Sequence, residues 1–229
     1  MTEASCPKQS ALEAANRGLA RVWIDLESGL ATVPIVDRLL RGRLRIEDYR
    51  SLLLNLRQQV VEGGRWISRA ASSLGAGHEE LRSLFIRHAG AEHRDFLHLE
   101  ANYVAAGGDP ALIRTTPKNI GSEALSAWMF HAASQNDPVG LLGAMYVIEG
   151  LGEKLARPWA DLAQRQLGLP DEAFTFLRYH GDNDGDHLDM FDRALAMAVV
   201  DQAIADDVVR HARVTARLYR LQLEEIDNV

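Results

Sequence analysis

Apolar residues recur every three to four positions along almost the whole chain, and alternating runs rich in Val, Ile and Thr are missing. That pattern predicts helices nearly everywhere. A first helix is expected from about Ser10 to Gly29, then a short one over "VPIVDRLLRG". A long helix should run from about Ile46 to Leu74, ended by "GAG". The stretch "HEELRSLFIRHAGAEHRDFLHLEANYVAAGG" reads as one helix, with Gly107 and Gly108 suited to a left-handed cap and Pro110 as a stop. "GGDPALIRTTPKNIGS" is the clearest loop. Ser122 then looks like the cap of "EALSAWMFHAAS". Another helix is expected from about Pro138 to Leu167, closed by "LGLP". The last stretch, Asp171 to Asn228, reads as helical except around residues 178–191.

The sum is an all-α, single-domain bundle of about seven helices spanning residues 1–229, with 1–9 as a flexible tail. The 229 residues are 47% hydrophobic, enough for one sizeable core. A net charge of −7 and the lack of any Lys/Arg-rich run argue against nucleic acid or an anionic membrane as partner. The first residues lack a basic stretch followed by an apolar run, and windows such as "GLLGAMYVIEG" are too short to span a bilayer, so a cytoplasmic location is expected. Cys6 is the single cysteine, which excludes an internal disulfide and a cysteine-based metal cluster.

The chemistry concentrates in "RYHGDNDGDHLDMF", residues 178–191. On a helix His180, Asp184 and His187, at i, i+4 and i+7, fall within about 60° of one another. Two imidazoles and a carboxylate on one face suit a borderline divalent metal such as Fe(II), Mn(II) or Zn(II). The competing reading is a turn, because "GDNDGD" is made of turn formers and Gly costs about 1 kcal/mol inside a helix. A calcium loop fits less well, since the glycine register and the terminal Glu do not match.

Lone acids on apolar faces are the next signal, because a buried carboxylate without a partner costs several kcal/mol. Glu62 continues the stripe of Leu52, Leu56, Gln59 and Trp66, or else sits at a solvated edge. Glu92 lies mid-stripe among Leu81, Phe85, Phe96, Leu99 and Tyr103, with His88 one turn before it and Asp95 on the same face. Glu149 is the single charge between Val139 and Gly152, and the alternative for it is a core Glu bonded to a Tyr or Arg. Together Glu62, Glu92, Glu149, His180, Asp184 and His187, with His88 as a seventh, form a carboxylate–imidazole set of the size two metals need. Trp66, Tyr103, Trp128 and Tyr146 are candidate substrate-pocket walls, or plain core.

This order of residues resembles the haem-oxygenase-like superfamily, in the branch with thiaminase II, pyrroloquinoline quinone synthase and the haem-oxygenase-like diiron oxidases. The resemblance covers most of the chain: a Glu on an early core helix, Glu and His on the next, and a late H-x-x-x-D-x-x-H at His180, Asp184 and His187. It implies two iron ions, with manganese as an alternative, and O2 used on a small organic substrate such as an amino acid or fatty acid. In the diiron members an acid on an intermediate helix joins the late triplet, as Glu149 would. The second core helix departs from the pattern. Relatives place a His after the Glu, whereas Asp95 stands three residues after Glu92, His98 six after, and His88 before it.

Haem of the haem-oxygenase kind is not expected, because the first histidine is His78 rather than one near the start of the first helix. Thiaminase II chemistry needs a mid-chain Cys, and Cys6 is outside the fold proper. A metal-free relative of pyrroloquinoline quinone synthase, or a helical module that binds a small ligand, remains the alternative. Homodimers are common among bundles of this kind.

Overall fold

The computed structural model describes residues 7–228, with side chains throughout except at 182–189 and 228. Its elements, in order, are α1 (Pro7–Leu30), α2 (Pro34–Leu40), α3 (Ile46–Val60), α4 (Gly63–Ser73), α5 (Glu79–Glu92), α6 (Phe96–Ala105), α7 (Pro110–Thr115), α8 (Ile120–Ala133), α9 (Leu141–Leu151), α10 (Arg157–Leu167), α11 (Thr175–Ala198) and α12 (Gln202–Glu224). A π-helical segment, Gly152–Ala156, joins α9 to α10 without a break in the rod. Among the described residues all regular structure is helical, so the all-α class holds. Among the described residues the count is twelve α-helices rather than about seven.

The extra helices come from breaks that periodicity does not register. The expected helix from Ile46 to Leu74 is interrupted at Val61 and Glu62, just before Gly63 and Gly64. The expected helix from "HEEL" to "AAGG" is interrupted at His93–Asp95. These two breaks pack against each other. A Cβ on Gly64 would lie 2.7 Å from the Cα of His93, so the missing side chain lets the start of α4 touch the turn after α5. The apolar stripe survives both breaks because each turn keeps the next helix's inner face roughly in phase.

Two local expectations are replaced by neighbours. The cap of α8 is Asn119, whose side chain accepts from the Ser122 amide at 2.8 Å, rather than Ser122 itself. Helix α1 begins at Pro7, where a proline lacks only an amide that would have had no partner in the first turn. Gly107 does take the left-handed conformation, at φ 76°, and ends α6.

Helix α12 runs through the middle of the bundle against α1, α8 and α9. Helix α11 lies across the π-helical segment and α9, and α4 lies along α5. Fully buried Leu53, Ile67, Phe85, Leu99, Leu141 and Phe174 fill the space between them. Each such side chain contributes about 1.5–3 kcal/mol of transfer free energy. The backbone of "RYHGDNDGDHLDMF" is helical throughout, as part of α11. Gly181 is used for close approach. A Cβ there would sit 2.6 Å from the Cβ of Arg157, where α11 crosses the end of the π-helical segment.

Candidate metal centre

Three rods meet at one buried cluster. On α5, His88 and Glu92 are four residues apart and share a face. The turn after α5 is tight: the Asp95 amide donates to the Glu92 carbonyl at 3.2 Å, and the His98 amide to the Asp95 carbonyl at 3.0 Å. It turns Asp95 inward, to 6% exposure. From α9 comes Glu149, also 6% exposed, one turn before the π-helical segment. Insertions of this type widen a helix locally and recur at functional sites. From α11 comes His180, its ring edge-on to Phe176 at 4.5 Å.

The cluster is organised as two acid–imidazole pairs with Glu92 between them. His88 Nε2 lies 3.0 Å from Glu149 Oε1. His180 Nε2 lies 3.5 Å from Asp95 Oδ2. One ligating atom each from Glu92, Asp95 and His180 lies within 4.8 Å of the other two. Glu92 feels all four neighbours. Its carboxyl is pushed up to about 7, first by burial and next by the charge of Glu149. The His88 and His180 imidazoles pull it down, and Asp95 pushes it up further.

Three carboxylates and two imidazoles crowded together are costly for a bare protein and suited to a divalent cation. All the donors are nitrogen or oxygen, with no sulfur among them. The set therefore fits iron or manganese, and disfavours the soft metals that thiolates select. Beside it lies a cavity of about 100 Å³. His88, Glu92, Glu149 and His180 form its polar side, and Leu52, Trp66, Met145, Trp159 and Phe176 are among its apolar walls.

The expected ligands are distributed unevenly. His88, Glu92, Glu149 and His180 come together. The side chains of Asp184 and His187 lie outside the described residues. Glu62 is not among the cavity-lining residues. Its carboxylate sits 2.8 Å from Lys118 Nζ and 2.7 Å from Arg65 Nη1. Of the four aromatics expected as pocket walls, Trp66 lines the cavity. Tyr103 packs over Gly108, Trp128 sits 5.1 Å from the His211 ring, and Tyr146 lies 5.4 Å from Phe191.

Asp95 was legible as a face-sharing acid, but its part in the cluster depends on the turn after α5. Phe176 and Trp159 were missed as walls. For Phe176 a signal existed, because it stands one helical turn before His180.

Several solved structures share this architecture. A domain of unknown function with a haem oxygenase-like fold from Shewanella denitrificans superposes with a TM-score of 0.86 at 18% identity, covering 91% of this chain and 90% of that one. A TenA homologue from Pseudomonas syringae gives 0.72 at 13% identity, covering 92% of each chain. Haem oxygenase-1 from the cyanobacterium Synechocystis, solved with haem, gives 0.71 at 16% identity, covering 94% and 92%. The class is thus a haem-oxygenase-like helical protein. Within it, the chain belongs to the family described as iron-containing redox enzymes, whose model matches residues 64–220. The match begins at Gly64 and takes in the whole cluster. Comparison with curated proteins gave no match. Among the described residues no helix is long and apolar enough to cross a membrane.

Proposed function

We propose that the chain is an O2-dependent non-haem enzyme that holds two iron ions at the Glu92-centred cluster and oxidises a small organic substrate. The observation that carries this reading is Glu92 lying between two acid–imidazole pairs, His88–Glu149 and Asp95–His180, at the edge of an apolar cavity. In this reading His88, Glu92, Asp95, Glu149 and His180 would be the residues that hold the metal. Asp95 follows Glu92 by three residues, and His88 supplies an imidazole from one turn before it. Iron, once bound, supplies O2 activation.

The rest is the work of the chain's own groups. Trp66, Trp159 and Phe176 keep bulk water from the cluster and give a substrate an apolar seat. In the metal-free protein Glu92 keeps a proton more readily than an ordinary carboxylate, first because it is buried and next because Glu149 makes a further negative charge expensive. The short π-helical segment, packed against α11, adds Gly152 and Ala156 to the cavity wall. A cavity of about 100 Å³ favours a substrate of modest size, or one that leaves part of itself outside.

The test is metal loading. The purified chain, made metal-free and titrated anaerobically with Fe(II), should take up about two equivalents and then consume O2. Glu92→Ala and His180→Ala should lose most of that uptake while keeping the helical circular dichroism of the parent. A wild-type chain that binds no Fe(II) would overturn the reading.

A second reading has its own observation. Each imidazole already has a carboxylate within ion-pair distance, as a metal-free acid–base site would require. Tight binding of an organic acid by a chain that refuses iron would favour it.

A further inference from the structure

Two further voids lie beyond the main cavity, on the side of α5 that faces α11. An outer cleft of about 710 Å³ opens at the surface, with Leu84, His88, Met190 and Met197 among its walls. Between this cleft and the cavity lies a neck of about 20 Å³. The neck shares Leu84, His88 and Met190 with the cleft, and His88, Met145 and Glu149 with the cavity. His88 therefore lines all three spaces, and the outer and inner ends of the neck are marked by different methionines.

Apart from His88 and Glu149, every described residue of the neck wall is apolar. The neck has room for little more than one water molecule, for which about 10–15 Å³ suffices. Neither His88 nor Glu149 exposes a polar atom to it, so its surface gives water almost no hydrogen-bond partners. Such cavities stay dry and take up small apolar guests, xenon among them. An organic substrate with several heavy atoms does not fit.

We propose that this neck is the route by which dioxygen passes from the α5–α11 cleft to the His88–Glu149 edge of the cluster, with Leu84 and Met190 as its gate. The inference rests on the O2-dependent reading above, and it separates two traffics. The gas enters along α5 and α11, while the substrate uses the larger cavity bounded by Trp66 and Trp159.

The experiment uses the full chain with 13C-methyl methionine, observed by NMR under xenon. The Met190 and Met145 methyl signals should shift and saturate. Met129, buried outside the neck, should not move. In Met190→Trp the Met145 response should weaken, because the neck contact is lost while the main cavity still reaches that side chain. In the iron-loaded form kcat/KM for O2 should fall at least tenfold with iron content unchanged.

Leu84→Phe, a smaller change from the opposite wall, should do the same to a lesser degree and guards against misfolding of the first variant. Unmoved Met190 and Met145 signals in a folded wild-type chain would overturn the route. So would a Met145 response undiminished in Met190→Trp, or an O2 rate equal to wild type; in these cases the function proposed above stands. A wild-type chain that binds iron without consuming O2 removes both, even where xenon enters.

Discussion

Two buried carboxylate centres lie a few turns apart on α5 and α6, and they are neutralised in opposite ways. Glu100, 8% exposed, is held by Arg57 at 2.9 Å on one oxygen and by Arg114 at 2.9 Å on the other. Guanidinium is charged at any working pH, so that centre is closed electrostatically. Glu92, Asp95 and Glu149 instead face His88 and His180, whose charge depends on pH. The first arrangement ties three helices, α3, α6 and α7, together and asks for nothing more. The second leaves excess negative charge in an apolar place, and the carboxyl of Glu92 rises to about 7 as a result. The difference separates a buried acid neutralised by fixed charges from one that shares its burial with other acids.

The contrast is sharpest under truncation. Arg57→Ala leaves Glu100 buried with only the exposed Arg114 beside it. Breaking such a pair from one side costs about 3 kcal/mol or more. Thermal unfolding should show Tm lower by about 10 °C, at roughly 2–4 °C per kcal/mol for a chain of this size. Iron content per folded molecule should be unchanged.

The reverse sign is expected at the other centre. The folded-state value of Glu92 is above the unfolded one, so the folded metal-free protein binds that proton more tightly. Its stability therefore falls as pH rises from about 4.5 to about 7. Glu92→Gln removes that cost. The metal-free variant should be more stable than the parent by on the order of 2 kcal/mol at pH 8. The difference should vanish near pH 4, and iron uptake should be lost. Equal stability of the two metal-free proteins at pH 8 would show that the cluster is not strained.

Much of this contrast was readable in the chain, and the reasons for the gaps are physical. Helical periodicity identified the all-α class because each helix keeps one apolar stripe. It did not reveal the breaks at Glu62 and His93, which leave the stripe in phase. Glu149 and Glu92 stood out as charges on apolar faces, and the same logic selected Glu62. Periodicity cannot see Lys118, 56 residues away, which meets Glu62 in space. Glu100 went unremarked because its partners Arg57 and Arg114 lie on other helices. The burial of an acid is legible in sequence, but the identity of its counter-charge is a tertiary fact.

A smaller effect should follow from the contact that sets the cluster's turn. Gly64 lies so near His93 that an added methyl must displace backbone. Gly64→Ala gains helix propensity of about 1 kcal/mol and loses about 1–3 kcal/mol to overpacking. The net is a modest destabilisation. Because the displaced residue lies between Glu92 and Asp95, iron affinity should drop by more than stability does. An Ala variant with parental iron affinity would mean that the turn tolerates movement.

The smallest expected effect bears on which acids belong to the centre. Glu62 was selected by the reasoning that selected Glu92, yet in the fold it has cations at 2.8 and 2.7 Å and sits with the Glu100 type. Lys118 is mostly buried and Arg65 is mostly exposed, so the Lys118 pair carries most of the interaction. Glu62→Gln keeps the shape and a hydrogen-bond acceptor for Lys118 while removing the charge. Stability should fall by about 1 kcal/mol, near the upper end for a partly exposed pair. Iron stoichiometry should be unchanged within error, measured by metal analysis on the same preparation. A loss of one equivalent would mean that Glu62 exchanges Lys118 for metal on loading, and the division between the two kinds of buried acid would then have to be redrawn.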